Sequence, residues 1–383
     1  MYDVIIIGSG VAGSIAAYKL AEAGKKVLIL EKETLPRYKT CGGGVISKVS
    51  ELLPYKIDPV VECKLYKSDI YDHANDLHFI IERDIPIINM TMRSSLDHFM
   101  LTKAREVGTE IKEENEVIDI NEKNGFVEVI TRNQSYETKF VIAADGATGI
   151  TTRKLGIQIK VKKIPAIEHE VVIEKDQFEK LNKTARFDFG LVPNGYAWVF
   201  PKKVHLSIGL LTMSKPGINL HQYFKKYLEI LGITKLLSEE KHGYIIPFHS
   251  RQKNFSCGRI LLAGDAAGLA DPVTAEGISY AITSGIYAAN SFINGKENAE
   301  TVCKLYEFEI KKILTELKYA RYLAFLIYKS PLLRTFVFKM YGEKLSNLMT
   351  DVITGKVKYS ELLKNPLNYL KLFKLTHFKK NPR

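Results

Sequence analysis

An α/β fold is predicted, and three observations predict it. The first 31 residues run through an apolar stretch, a glycine-rich turn, a helical stretch and a second apolar stretch. Two later apolar stretches end in Asp145-Gly146 and Gly264-Asp265. Segments of alternating hydrophobicity lie between those two. The set describes a Rossmann-type parallel sheet, an inserted antiparallel sheet and a helical C-terminal region.

Asp3-Val4-Ile5-Ile6-Ile7 is continuous and β-branched, as a strand covered on both faces requires. Gly8-Ser9-Gly10-Val11-Ala12-Gly13 follows at once. Ser14–Gly24 reads as a helix with Ile15, Ala16 and Leu20 inward, and Val27–Leu30 is a second buried strand ending at Glu31. The three glycines serve different purposes. Gly8 permits the tight turn, Gly10 lets a pyrophosphate approach the backbone, and Gly13 lets helix and strand pack closely. The helix N-terminus adds unpaired N–H groups and partial positive charge. Glu31, 23 residues after Gly8, is placed to accept from ribose hydroxyls. GxGxxG alone also marks ordinary turns, and a nucleotide-free βαβ unit is the bland alternative. Strand, glycines, helix, strand and acid in register point to a dinucleotide. The acid disfavours a 2′-phosphate, so FAD or NAD fits and NADP does not.

Phe140–Ala147 and Arg259–Ala267 each read as a strand whose carboxyl end carries an Asp and a Gly. Open α/β sheets bind ligands at such ends. Asp265 is placed to hold a polyol such as a ribityl chain. A helix expected to begin near Thr274 aims its positive end at the anionic edge of a flavin, with Gly277 among the cofactor-binding residues. These features favour FAD.

Composition narrows the class. The chain has 383 residues, 46% hydrophobic and 26% charged, which excludes disordered, collagenous and coiled-coil proteins. Four scattered cysteines form no disulfide framework or CxxC pair, and nine histidines show no HExxH spacing, so no metal site is expected. A reducing, cytoplasmic setting follows, with no basic leader ahead of Val4 and no apolar run of the ~20 residues a spanning helix needs. The net charge is +12, and residues 351–383 hold eight Lys or Arg against two acids. That tail suits an anionic partner. Its stretch Tyr369–Leu375 interleaves Leu, Tyr and Phe with Lys, which fits an interfacial amphipathic helix better than a nucleic-acid arm.

In this order the motifs resemble the FAD-dependent oxidoreductases of the p-hydroxybenzoate hydroxylase fold, over roughly residues 1–290. Two further stretches narrow the resemblance to the geranylgeranyl reductase family. One is Pro36-Arg37-Tyr38-Lys39-Thr40-Cys41-Gly42-Gly43-Gly44. The other is Gly195-Tyr196-Ala197-Trp198-Val199-Phe200-Pro201 followed by Ser207-Ile208-Gly209. The family has GxG where this chain has Ser207-Ile208-Gly209. Taken alone, the alternation from Tyr196 to Phe200 is also that of a plain strand burying aromatics.

The resemblance implies an FAD-dependent reductase that saturates C=C bonds of geranylgeranyl chains, in membrane lipid precursors. Hydride comes from reduced flavin, and an external NAD(P)H or ferredoxin-type donor re-reduces it. An isolated alkene has no carbonyl to accept negative charge, so a proton must be delivered before or with the hydride. Cys41 is the group expected near the reacting carbon. The proton donor stays open between its thiol, a water and a substrate phosphate. Gly43, Tyr196, Trp198 and Phe200 are expected to line the substrate tunnel. Arg93 is either near the cofactor or a surface charge. A flavin monooxygenase acting on a small aromatic substrate is the runner-up, and a nucleic-acid-associated flavoprotein a third reading.

The expected layout has a discontinuous FAD domain (1–50, 90–155 and 255–295), a substrate cap (51–89 and 156–254) and a helical region with a basic tail (296–383). A monomer is expected. Its partners would be an isoprenoid lipid, an anionic membrane surface at the periphery and an electron-donor protein, and not nucleic acid.

Overall fold

The computed structural model describes residues 1–154, 163–214, 217–247 and 254–364. Strand Tyr2–Ile7, whose Val4–Ile7 side chains are fully enclosed, lies parallel between Ser135–Ala143 and Val27–Leu30. Ile260–Leu262 and Glu110–Lys112 extend the sheet in parallel on either side. Antiparallel strands Val117–Glu122, Val127–Thr131 and Ser256–Cys257 complete its eight. Helix Val11–Glu22 packs against both Arg93–Glu106 and Ile278–Asn294. Because Tyr2–Ile7, Ser135–Ala143 and Ile260–Leu262 are mutually parallel, their carboxyl ends open onto one edge. That geometry brings Gly8–Gly10, Ala144–Gly146 and Ala263–Asp265 together from distant parts of the chain.

A second sheet of seven strands runs in the order Leu236–Pro247, Lys163–Ile173, Leu206–Thr212, Gly195–Pro201, Ala185–Phe189, Lys67–Asp72, Leu77–Glu82. All pairs are antiparallel except Ala185–Phe189 with Lys67–Asp72. Period-2 alternation divides Gly195–Pro201 between two layers. Ala197 and Val199 face a core closed by Phe224 and Tyr227 of helix Leu220–Ile230. Tyr196 and Trp198 face the opposite core, with Tyr328, Val352 and Tyr359.

Two expectations need correction. The segment 51–89 does not belong wholly to the second sheet. Val61–Leu65 pairs with Ile88–Thr91, which also pairs with Gly44–Ile46, in a separate three-stranded sheet. The late helix begins at Ile278, with Gly277 as N-cap, and not near Thr274. Asp271 accepts from the N–H groups of Val273 and Thr274 and folds that stretch into a turn instead. Within residues 351–383, Val352, Tyr359 and Leu362 are buried in the second core. Tyr369–Leu375 lies outside the described residues.

Helix Ala299–Lys329 ties the two sheets together. Val302, Tyr306, Ile310 and Ile313 enter the first core, and Ala320, Leu323, Ala324 and Ile327 enter the second. Helix Pro331–Ile353 follows it directly after Ser330 and packs against strand Leu77–Glu82.

Candidate active site

The edge where the three parallel strands end opens into a cavity of about 1520 Å³, mouth included, roofed by the second sheet. One end is a cradle for an anion. Gly10 caps helix Val11–Glu22 with no side-chain partner for the first-turn N–H groups and no acid in that turn. A Cβ on Gly10 would meet nothing closer than the terminal nitrogens of Arg37 and Arg93, at 3.8 and 4.0 Å. Arg93 is 5% exposed and forms a bidentate pair with Asp97, 2.9 Å on each arm. It is therefore a wall residue and not a surface charge. Arg37 reaches Asp97 at 3.3 Å and Glu31 at 3.6 Å. Two guanidiniums and a free helix N-terminus around one side-chain-free residue suit a pyrophosphate.

Gly8 and Gly13 shape this cradle from behind and do not line it. Gly8 holds φ +95° in the turn. A Cβ on Gly13 would sit 2.0 Å from the Gly8 carbonyl oxygen, so only glycine lets helix and strand approach this closely. Glu31 is buried beneath them. Its carboxylate accepts from the Ser9 amide at 3.0 Å and hydroxyl at 2.6 Å, and from the Glu33 amide at 3.1 Å. Burial alone would raise its pKa, but the Ser9 bonds and Arg37 hold it below the ordinary value.

The other two strand ends behave differently from each other. Ala144 and Gly146 line the cavity, but Asp145, expected at the cofactor, turns away: its carboxylate accepts from the Thr151 amide and hydroxyl at 2.9 and 2.8 Å. This carboxylate caps the short helix Thr151–Lys154. Asp265 does face the cavity, with Gly264. It accepts from the Tyr244 hydroxyl at 3.0 Å, and the Lys39 ammonium lies 3.5 Å away. Gly277 lines the wall beside Asp265, where a Cβ would lie 3.5 Å from its carboxylate, and the N-terminus of the 17-residue helix Ile278–Asn294 meets the same space, its Ser279 amide donating to the Glu276 carboxylate at 2.6 Å.

The roof is aromatic. Phe187, Tyr196, Trp198 and Phe200 line it, with neighbouring ring centroids 5.4–6.2 Å apart. The Tyr196 hydroxyl donates to the Thr274 carbonyl at 2.5 Å, which fixes that ring to the turn before the helix. The Trp198 indole N–H is buried without a partner. Its ring lies across Gly209, where a Cβ would come within 2.0 Å of it. Below the roof runs the Cys41–Gly44 loop. Cys41 and Gly43 line the cavity, and the Gly43 amide donates to the Cys41 sulfur at 3.4 Å.

Sequence reasoning missed five residues of this site. Arg37 and Lys39 stood inside a quoted motif with no role assigned. Tyr244 came from an alternating strand. Lys202, buried, donates to the carbonyls of Gly42 at 2.6 Å and Thr91 at 3.1 Å and so pins the cysteine loop. Glu168 lines the cavity beside Trp198. Its only signal was Glu168 and Glu170 on one face of an otherwise apolar strand.

The chain matches the FAD binding domain family over residues 1–297 and belongs to it. It is 33% identical to an uncharacterized protein of Methanosarcina barkeri, covering 85% of this chain and 84% of that one. It is 29% identical to digeranylgeranylglycerophospholipid reductase 2 of Methanothermobacter thermautotrophicus, covering 81% and 83%. The geranylgeranyl bacteriochlorophyll reductase-like structure from Thermoplasma acidophilum superimposes with a TM-score of 0.74 at 22% identity, over 97% of this chain and 95% of that one. The resemblance to geranylgeranyl reductases read from the motifs therefore holds, and the protein is an FAD-binding member of an oxidoreductase family.

Proposed function

We propose that this protein saturates isolated C=C bonds of geranylgeranyl chains carried by membrane lipid precursors. The observation that carries the reading is one cavity in which the FAD cradle meets an aromatic roof and a cysteine-glycine loop. When bound, FAD supplies hydride chemistry. The chain's own residues supply the rest. Arg37, Arg93 and the N–H groups of the first helix take the pyrophosphate charge. Asp265, held by Tyr244 and Lys39, takes the polyol, and the helix at Ile278 stabilises negative charge at the ring edge. Phe187, Tyr196, Trp198 and Phe200 exclude water and present π faces to the positive charge that develops when a trisubstituted alkene is protonated. Cys41 sits at the reacting carbon.

The substrate partitions into bilayers at roughly 0.8 kcal/mol per buried CH₂, so the enzyme must collect it there. Among the described residues no helix is long and apolar enough to cross a membrane. The turn between the two long helices carries exposed Phe325, Leu332, Leu333, Phe336 and Met340, with Leu332 88% exposed. We place this corner, together with the basic residues beyond Lys364, at the membrane surface. A soluble NAD(P)H or a ferredoxin-type protein supplies electrons.

The test is mass spectrometry of geranylgeranylated lipids incubated with FAD-loaded protein and reductant. A gain of two hydrogens per double bond supports the reading. Unchanged lipids, with oxygen inserted into a small aromatic compound instead, overturn it in favour of a monooxygenase.

A further inference from the structure

The reaction needs a proton donor, and the thiol of Cys41 is a weak acid for that purpose. A better-placed group lies in the roof. Glu168 on strand Lys163–Ile173 faces Gly209 of the neighbouring strand, which in turn faces Trp198. Gly209 contributes no side chain, so the indole extends over it towards Glu168. The carboxyl is 2% exposed, yet it belongs to the cavity wall. The Ser207 hydroxyl bonds one of its oxygens at 2.8 Å. Behind it, on the same strand face two residues on, stands the buried Glu170, whose two carboxylate oxygens make no hydrogen bond. The His205 Nε2 lies 3.0 Å from the far oxygen of Glu170, and the His205 side chain is 18% exposed. A line of titratable groups thus runs from the cavity through Glu168 and Glu170 to a histidine that meets solvent.

We propose that Glu168 is the general acid that protonates the alkene, and that it is re-protonated from solvent through Glu170 and His205. This rests on the reductase reading above. In the step, the carboxyl O–H bond breaks and the alkene π pair forms a C–H bond with the released proton. The adjacent tertiary carbon, left electron-poor, accepts hydride, which is the chemistry a reduced flavin supplies with two electrons drawn from the external NAD(P)H or ferredoxin-type donor. The carboxylate then regains a proton along the chain of acids.

The surroundings hold Glu168 in its acid form. Burial is the largest influence and the charge of Glu170 the next, and together they push its pKa up to about 8. Lys202 and the Ser207 hydroxyl oppose this. Glu170 itself, despite burial, is held below its ordinary value by His205 and Lys202. From strand Leu236–Pro247, His242 stands opposite Glu168, and Tyr38 stacks on His242 at 3.9 Å. One carboxyl is therefore neutral and its partner ionised, the division of labour an acid and its proton source require.

The experiment follows the protonated-carboxyl infrared band of FAD-loaded protein against pH, and in parallel the pH profile of prenyl reduction. Wild type should carry a band, absent from Glu168→Gln, that vanishes near pH 8. Glu168→Gln should retain FAD and lose reduction at least ~100-fold, the low end of general-acid catalysis. Glu170→Gln, which removes the neighbouring charge, should move both the band and the alkaline limb of the rate profile to lower pH. Reduction undiminished in Glu168→Gln overturns the proposal. If that variant does not fold, a Glu170→Gln profile that stays in place while the band moves overturns it equally. A wild type that shows the band but reduces no prenyl lipid overturns the reductase reading, and the acid's role falls with it.

Discussion

The two halves of the cavity are built by opposite means. The floor of the anion cradle is made of backbone. It consists of a turn, a helix N-terminus and glycines whose missing side chains leave room, all within the first two dozen residues, and only Arg37 and Arg93 reach it from further along the chain. The roof is made of side chains from strands far apart in sequence: Glu168, Trp198 and Ser207 meet only because three antiparallel strands lie in a particular register. Function in the first half depends on what is absent at a few positions, and in the second on what is present.

The largest expected effects sharpen that contrast inside the cradle. Gly13→Val should prevent folding of the first domain, because its Cβ would lie 2.0 Å from a backbone oxygen that cannot yield. More than about 3 kcal/mol is at stake, beyond ordinary overpacking. Gly10→Val should fold with a nearly wild-type melting temperature but lose FAD affinity at least ~100-fold, since its side chain enters only the space left for phosphate. Circular dichroism and bound-flavin absorbance separate the two. A Gly10→Val protein that stays yellow would mean the pyrophosphate does not use this cradle.

Truncating the roof should act in the reverse sense. Trp198→Ala should destabilise by about 3–5 kcal/mol, as loss of a large buried aromatic does, and keep its FAD. Prenyl reduction should slow or stop after fewer double bonds. Loss of flavin from a variant that remains folded would reassign Trp198 to the cofactor.

Legibility followed the same division. The cradle could be read because its signals are local: Gly8, Gly10 and Gly13 each answer a steric demand within a few residues, and Glu31 ends the next strand. Even there, Asp145 carries two readings, because a strand-end Asp can equally cap the following turn, and here one of its oxygens binds Thr151. In the roof, Tyr196, Trp198 and Phe200 could be named from a motif, but Glu168 and Lys202 could not. Their roles arise from burial beside particular partners, Ser207 and Glu170 for one and the carbonyls of Gly42 and Thr91 for the other. No sequence period encodes those partners.

The two buried glutamates offer a pH test of the comparison. Glu31 is held below its ordinary pKa, so its charged form favours the folded state. That contribution is present above the unfolded-state value near 4.3 and lost as pH falls through the folded value. Glu168 is held above its ordinary value. Its neutral form is favoured on folding, and stability falls as pH rises from the ordinary carboxylate range to about 8, then levels. In thermal melts, Glu31→Gln should therefore lose stability relative to wild type mainly above pH 5. Glu168→Gln should gain on wild type progressively up to pH 8. Parallel curves for the two variants would show that the halves do not differ electrostatically.

The smallest expected effect lies at the one position where the roof departs from the family pattern. Ser207→Gly restores the glycine of the GxG stretch and removes the hydroxyl that bonds Glu168 at 2.8 Å. That bond favours the ionised form of Glu168, so its removal should move the loss of the Glu168 acid band to higher pH, by less than the effect of removing Glu170. Stability should drop by about 1 kcal/mol from the lost hydrogen bond and the added freedom of a glycine within a strand. FAD binding should not change, because Ser207 lies on the roof and the cradle does not touch it. A band that shifts to lower pH would mean that the serine favours the neutral acid, accepting its proton where the geometry has it donating.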